Sequence, residues 1–418
     1  MMLKIKTQEK MNRANSQRFF IAALLMFGLS LQPFDLQAHD DEEIGGVRHL
    51  YDGKLDPEIM INTSRNIDRL FPTRTVAKGD KINELTYKSR QFEYFQYRDK
   101  NETYDLYDYL AIGRVGGLLI LHDSKIAYER YLLGNSEQTR WMSMSVVKSM
   151  TALLIGAAIQ DGHIKHVEDP IVDYLPELKN SAYDGVRVRQ LLQMTSGVAW
   201  NEAYTDPTSD RRAMLEAQIQ QTPDAILRLM AELPRAAEPG AVWNYSTGET
   251  HVAGALVRAA TGMSVADYLS QKIWQPMGME YDASWWLESP QGLEVGGSGL
   301  SATLRDYARF GLFMLQDGIV DDKRVLPQGW MRDASTPLLA GGEATPYGYM
   351  LWIMPDGAFA AVGIFGQWVY VNPKSNVVIV MWSAQPKPMG RSGINEEVFI
   401  SNLALAVQQY YSAQMDEE

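Results

Sequence analysis

Residues 141–162 read WMSMSVVKSMTALLIGAAIQDG, and the fold is decided there. Ser145 and Lys148 open a run that is apolar at Val146, Val147, Met150, Leu153, Leu154, Ala157 and Ala158. Helical spacing puts Ser145 and Lys148 on one face of a mostly buried helix. Gly162 supplies its stop. A serine hydroxyl becomes a nucleophile when a neighbouring base takes its proton, and a lysine is such a base once burial lowers its pKa. Met144, Val147 and Met150 give Lys148 that apolar setting, and the helix N-terminus favours negative charge developing near Ser145. Roughly one S-x-x-K is expected by chance in a chain of this length, so the motif gains weight only from what surrounds it.

Outward from this helix the chain is long, 418 residues, acidic at −12, and free of cysteine. The length implies two lobes or one large mixed domain. The charge argues against a nucleic-acid or anionic-membrane partner. Without cysteine there is no disulfide, thiolate metal site, catalytic thiol or acylated lipoprotein cysteine. Residues 1–38 are laid out as a secretory signal: Lys4, Lys6, Lys10, Arg13 and Arg18, the apolar FFIAALLMFGLSL, then LQAHD with cleavage after Ala38. Their removal takes away five positive and two negative charges, moving the balance from −12 to −15. The apolar run is short for a membrane span, so a soluble periplasmic or secreted protein is expected, with no membrane contact beyond the signal.

Residues 39–105 read as an irregular N-terminal extension, broken at Gly45, Gly46, Pro57, Pro72 and Gly79. TYDLYDYLA at 103–111 predicts a short helix, and GGLLILHDSKIAYERYLLG a hairpin turning at Asp123 and Ser124. The stretch from about 163 to 340 is mostly helical and loop-like. Strand signals return in AFAAVGIFG, QWVYVNP and NVVIVMWSA, before the amphipathic helix EEVFISNLALAVQQYYSAQ. The expectation is an α+β fold: one antiparallel β-sheet joining early and late strands, flanked by helices, in a domain of residues 106–418. The 163–340 stretch forms a large, mostly helical insertion lobe, with a cleft beside Ser145.

Tyr245, in EPGAVWNYSTGETHVAG, sits on a loop before a helix. A packed aromatic is the ordinary reading, but beside a serine and lysine it becomes a proton relay. Its phenol would bond Lys148 and, as a phenolate favoured by that cation, take the Ser145 proton or hand one to a leaving group. Rival sites fall away. His163 and His166 have a metal-pair spacing but no third ligand in reach, so no metal or cofactor is expected. Gly296, Gly297 and Gly299 around Ser298 fail G-x-S-x-G because position 300 is Leu, and Gly113, Gly116 and Gly117 precede a strand where a phosphate loop follows one.

These residues carry a family resemblance. S-V-V-K at 145–148, VEDPIVDYLPEL at 167–178, VRQLLQMTSGV at 188–198, Y-S-T at 245–247 and GGSGLSATLRDYARFG at 296–311 stand in the order of serine hydrolases related to class C β-lactamases and penicillin-binding proteins. Through WNEAYTDP at 200–207 and GIFGQWVYVNP at 363–373, the chain looks most like the 6-aminohexanoate-dimer hydrolase branch. The resemblance implies a β-lactamase/transpeptidase-like fold, Ser145 as the acylated nucleophile, Lys148 as its base partner and Tyr245 as the third catalytic residue. It makes Tyr204 the loop tyrosine that touches the substrate. Departures are Thr247 where β-lactam-binding members carry Asn, and Ile364, Phe365 and Gly366 where they carry Lys-Thr-Gly or His-Thr-Gly. That removes the cation for a β-lactam carboxylate. Ser145 N and Gln367 N are the expected oxyanion hole, with Ile364 N left open.

The sequence thus predicts an exported, metal-free serine hydrolase that takes a small ester or amide through an acyl-enzyme. The alternatives are a β-lactamase or DD-peptidase and a non-catalytic ligand-binding homologue.

Overall fold

The structure is a computed structural model that describes residues 39–389, 393 and 395–415. The expected signal segment, residues 1–38, and Arg391 lie outside the described residues.

The two β-rich ends of the chain meet in one antiparallel sheet of six strands. Their order is Trp352–Ile353, Phe359–Gly363, Gln367–Asn372, Val377–Ser383, Val115–His122 and Lys125–Tyr131. Its central strands are apolar at nearly every position because both faces are covered, and alternation sends successive side chains to opposite cores. Leu119, Leu121, Val378, Val380 and Trp382 enter the larger core. Leu118, Ile120, Val377, Ile379 and Met381 enter a smaller one with Phe399, Ile400, Leu403 and Val407 of the C-terminal helix, Glu396–Met415. The first hairpin turns where expected, with Asp123 and Ser124 both at positive φ.

The helix of the Ser-x-x-Lys motif, Val146–Gln160, is buried from Val146 to Ala158. It packs between the Phe359–Gly363 strand and the helix Thr247–Thr261, so its first turn opens beside the Gly363 end of that strand on one side and the Tyr245 loop on the other. Gly162, at φ +81°, turns the chain away after Asp161.

Two expectations change. The extension is built into the domain: Thr73–Val76 pairs with Ala283–Trp286 in a second sheet, ordered Thr73–Val76, Ala283–Trp286, Leu300–Thr303 and Arg140–Met142. The stretch 163–340 therefore carries strands as well as helices. These strands span three or four residues each and pair across long separations, which leaves no alternating run to read in the sequence.

Candidate active site

Ser145 stands at the N-cap of the buried helix, 7% exposed, in a cleft of about 740 Å³ also lined by Tyr204, Tyr245, Trp352, Ile364 and Gly366. Met144 before it is held at φ +42°, a left-handed conformation that costs a non-glycine residue ~1–3 kcal/mol. Complete burial of its side chain offsets that strain and fixes the turn that presents Ser145.

Lys148 is 1% exposed, and its Nζ has three neighbours: Ser145 Oγ at 3.0 Å, Thr247 Oγ1 at 2.9 Å and the Gly297 carbonyl at 2.7 Å. The carbonyl can only accept. The Thr247 hydroxyl donates its own proton to Glu202 and so must accept from Lys148. Two N–H bonds of Lys148 are thereby committed, so that once the amine is neutral its lone pair falls in the third direction, toward Ser145. Electrostatics agree: burial lowers the Lys148 pKa to about 7, Glu202 pulling it back up and Arg211 pushing it further down.

Tyr245 differs from its expected form. Burial first, then the Glu202 charge, push its pKa up, with the neighbouring Ser145 side chain pulling it back down. Lys148 Nζ lies 5.4 Å from the Tyr245 ring centroid, against the ring face. The phenolate is therefore disfavoured at neutral pH, because burial and the Glu202 charge destabilise the anion more than Ser145 and Arg211 stabilise it. The two groups are pushed apart in pKa, a neutral amine beside a neutral phenol, which separates a base from an acid.

Tyr204 is placed on the cleft wall by a loop with several anchors. Asn201 N bonds Asp210 Oδ2 at 2.8 Å, Ala203 N bonds Asn201 Oδ1 at 3.0 Å, and Arg212 donates to the Tyr204 carbonyl at 3.2 Å. Burial first, then Glu202, raise the Tyr204 phenol well above its ordinary value.

Gln367 is not in the cleft. Its amide donates to the Phe365 carbonyl at 3.0 Å and the Ser383 carbonyl at 2.7 Å, and accepts from Trp141 at 3.0 Å. Strand alternation turns it inward as a clamp. The backbone that abuts Ser145 is Gly363: a Cβ there would come within 3.0 Å of Ser145 N and 2.6 Å of the Ser143 carbonyl, which is why glycine holds the position. Ile364 follows it on the cleft wall.

Sequence reading missed Glu202 and Trp352. Glu202 accepts from Thr247 N at 2.8 Å and from the Thr247 hydroxyl, tying the Tyr204 loop to the helix after Tyr245. Its only sequence signal is a carboxylate two residues before Tyr204. Trp352 stacks on Tyr245 at 5.7 Å, from the edge strand of the main sheet.

The chain is similar to known proteins in sequence and in fold. The Beta-lactamase family model matches residues 108–400. The 6-aminohexanoate-dimer hydrolase of Paenarthrobacter ureafaciens is 31% identical over 291 residues, 65% of this chain and 72% of that protein. A Bacillus anthracis structure described as a candidate 6-aminohexanoate-dimer hydrolase superposes with a TM-score of 0.76 at 25% identity, covering 86% of this chain and 96% of that one. The octameric penicillin-binding protein homologue of Pyrococcus abyssi shares the fold, with a TM-score of 0.57 at 18% identity over 72% of this chain and 76% of its own. With a Ser-x-x-Lys pair at the floor of its cleft and the family match spanning both ends of its sheet, this chain belongs to the β-lactamase family of serine hydrolases.

Proposed function

We propose that the chain is an exported serine hydrolase that cleaves a small ester or amide, like the 6-aminohexanoate-dimer hydrolases, through an acyl-enzyme on Ser145. The observation that carries this reading is the trio of contacts on Lys148 Nζ, which leaves its lone pair for the Ser145 proton.

Lys148 takes the proton as Ser145 Oγ attacks the substrate carbonyl. The oxyanion is met by the N–H groups of Ser145 and Ile364 at the helix N-terminus. Tyr245 donates its proton to the leaving alcohol or amine as the tetrahedral intermediate collapses, and the proton that Lys148 took from Ser145 restores the phenol. Water then attacks the acyl-enzyme by the same route in reverse, with the Lys148 and Tyr245 pair accepting its proton and returning one to Ser145. Export rests on the basic and apolar layout of residues 1–38.

The test is trapping. Quenching turnover of a slow ester in acid and measuring intact mass should show one acyl group, on the peptide carrying Ser145 and absent from Ser145→Ala. A folded Ser145→Ala protein that still turns over the ester in the same cleft contradicts the reading.

A further inference from the structure

The cleft has a second branch, about 640 Å³, which shares Tyr204, Tyr245 and Trp352 with the first and is also lined by Asp52 and Lys387. One of its walls is the 201–209 loop that carries Tyr204, and another is the 387–389 segment. The bonds of the loop are mostly local: Asn201 N to Asp210 Oδ2 at 2.8 Å, Ala203 N to Asn201 Oδ1 at 3.0 Å, and Ser209 Oγ to the Ala203 carbonyl at 2.7 Å. Such bonds fix the shape of the loop but not its place on the domain.

The helix Val47–Asp52 and the Gly53 after it reach both walls, and Leu50 and Tyr51 anchor that helix in the main core. Tyr51 accepts from Arg211, whose guanidinium lies 4.4 Å from the Tyr51 ring centroid. Asp52 Oδ1 lies 2.5 Å from Nη1 of Arg212, a buried guanidinium, and the same nitrogen donates to the Tyr204 carbonyl at 3.2 Å. Asp52 is the carboxylate with which Arg212 pairs, so it holds the guanidinium fork in the direction of the loop. The Arg212 bond keeps the Asp52 carboxyl below its ordinary pKa, and the pair stays ionised wherever Lys148 is neutral. On the other side, Gly53 ends the helix at φ +62°, and its carbonyl accepts from Lys387 Nζ at 2.7 Å. A Cβ at Gly53 would come within 2.7 Å of Lys387 Cδ and 2.9 Å of the Pro386 carbonyl, so glycine serves both the turn and the close approach. The family match begins at residue 108, well after this helix.

We propose that Asp52 is a positioning residue for substrate binding: through Arg212 it holds the Tyr204 loop in place, while the Gly53 carbonyl beside it holds the Lys387 wall. The width of this branch of the cleft is thereby set from the N-terminal helix. The proposal rests on the hydrolase reading for its assay but not for its geometry.

The isosteric Asp52→Asn removes the charge and tests the link. In hydrogen exchange, the amides of the 200–209 loop should exchange faster in this variant than in wild type, while those of Val146–Gln160 should not change. On p-nitrophenyl butyrate it should lose ~10-fold in kcat/KM, the scale of one coupling between groups in contact, and the loss should fall on KM rather than kcat. In a Tyr204→Ala background the same substitution should cost less than ~2-fold, because the side chain that Asp52 positions is gone. A general loss of stability would lower both backgrounds alike. Asp52→Glu keeps the carboxylate and should recover most of the KM. Arg212→Gln breaks the link from the other side, leaving only a half-buried carboxylate unpaired, and carries the same test if Asp52→Asn does not fold. Unchanged loop exchange, a cost borne by kcat, or an equal cost with and without Tyr204 overturns the positioning role. A wild-type protein without ester turnover overturns the hydrolase reading instead, and loop exchange then decides the positioning role by itself.

Discussion

Thr247 Oγ1 lies 2.9 Å from Lys148 Nζ and can only accept there, because its own proton is held by Glu202. That relationship fixes the direction of the hydrogen bond between them, from Lys148 to Thr247. It gives a role to Thr247 that a comparison of motifs alone registers only as a departure from Asn. Glu202 acts through Thr247 and through its charge, positioning the base without touching the reacting atoms.

The pH dependence follows. Lys148 works as a base only when neutral, and burial brings its pKa down to about 7, so kcat/KM should rise with pH through about 7. Glu202 raises the lysine pKa, so Glu202→Gln should move that limb to lower pH. A pH profile of kcat/KM on a neutral ester checks both; a limb that moves upward contradicts the charge argument.

Tyr245→Phe should lower kcat by ~10²-fold or more on an amide, the scale of a positioned acid, with thermal stability little changed because the ring remains. An activated p-nitrophenyl ester, whose leaving group departs without a proton, should suffer less. Steady-state kinetics on a matched anilide and ester measure the difference. Equal kcat in the two enzymes would return Tyr245 to a packing role.

Much of this was legible in the chain. The Asp123–Ser124 turn, the buried helix after Ser145 and the union of first and last strands all follow from local pattern, because both faces of those strands are covered and the turn residues tolerate positive φ. Glu202 was not legible: its partner Thr247 lies 45 residues on and only the fold brings them together. The inward clamp made by the Gln367 side chain was not legible for a different reason, since its partners Trp141 and Ser383 come from distant parts of the chain. The raised pKa of Tyr245 was not legible because sequence shows neither the burial of its phenol nor the Glu202 charge beside it.

Turnover of benzylpenicillin and nitrocefin should be poor beside that of a short acyl ester. Ile364, Phe365 and Gly366 offer no cation for the β-lactam carboxylate, and the far end of the cleft carries Glu396 and Glu397. Comparing kcat/KM for the three substrates is sufficient. Efficient β-lactam hydrolysis would require another cation, for which Arg391 is the residue to replace.

Glu249 should cost stability as pH rises. Buried, with Ser196 as its side-chain donor and Oε2 unpartnered among the described residues, it is pushed up to about 8 from 4.5. Between those values the unfolded chain has released a proton that the folded protein still holds, so stability falls as pH rises across that window. Glu249→Gln keeps the acceptor for Ser196 and removes the titration. Its Tm relative to wild type should therefore increase from pH 5 to pH 8, by thermal unfolding at each pH; a constant difference contradicts the assignment.

The central claim is that neutral Lys148 takes the proton of Ser145, and the labelling rate of a fluorophosphonate as a function of pH tests it most directly. A single adduct is expected on the peptide carrying Ser145, forming at a rate that rises through about pH 7 and falls by ~10²-fold or more in Lys148→Met. An adduct on another residue, or a rate on Ser145 that is flat from about pH 5 to 9 and indifferent to Lys148→Met, would contradict it.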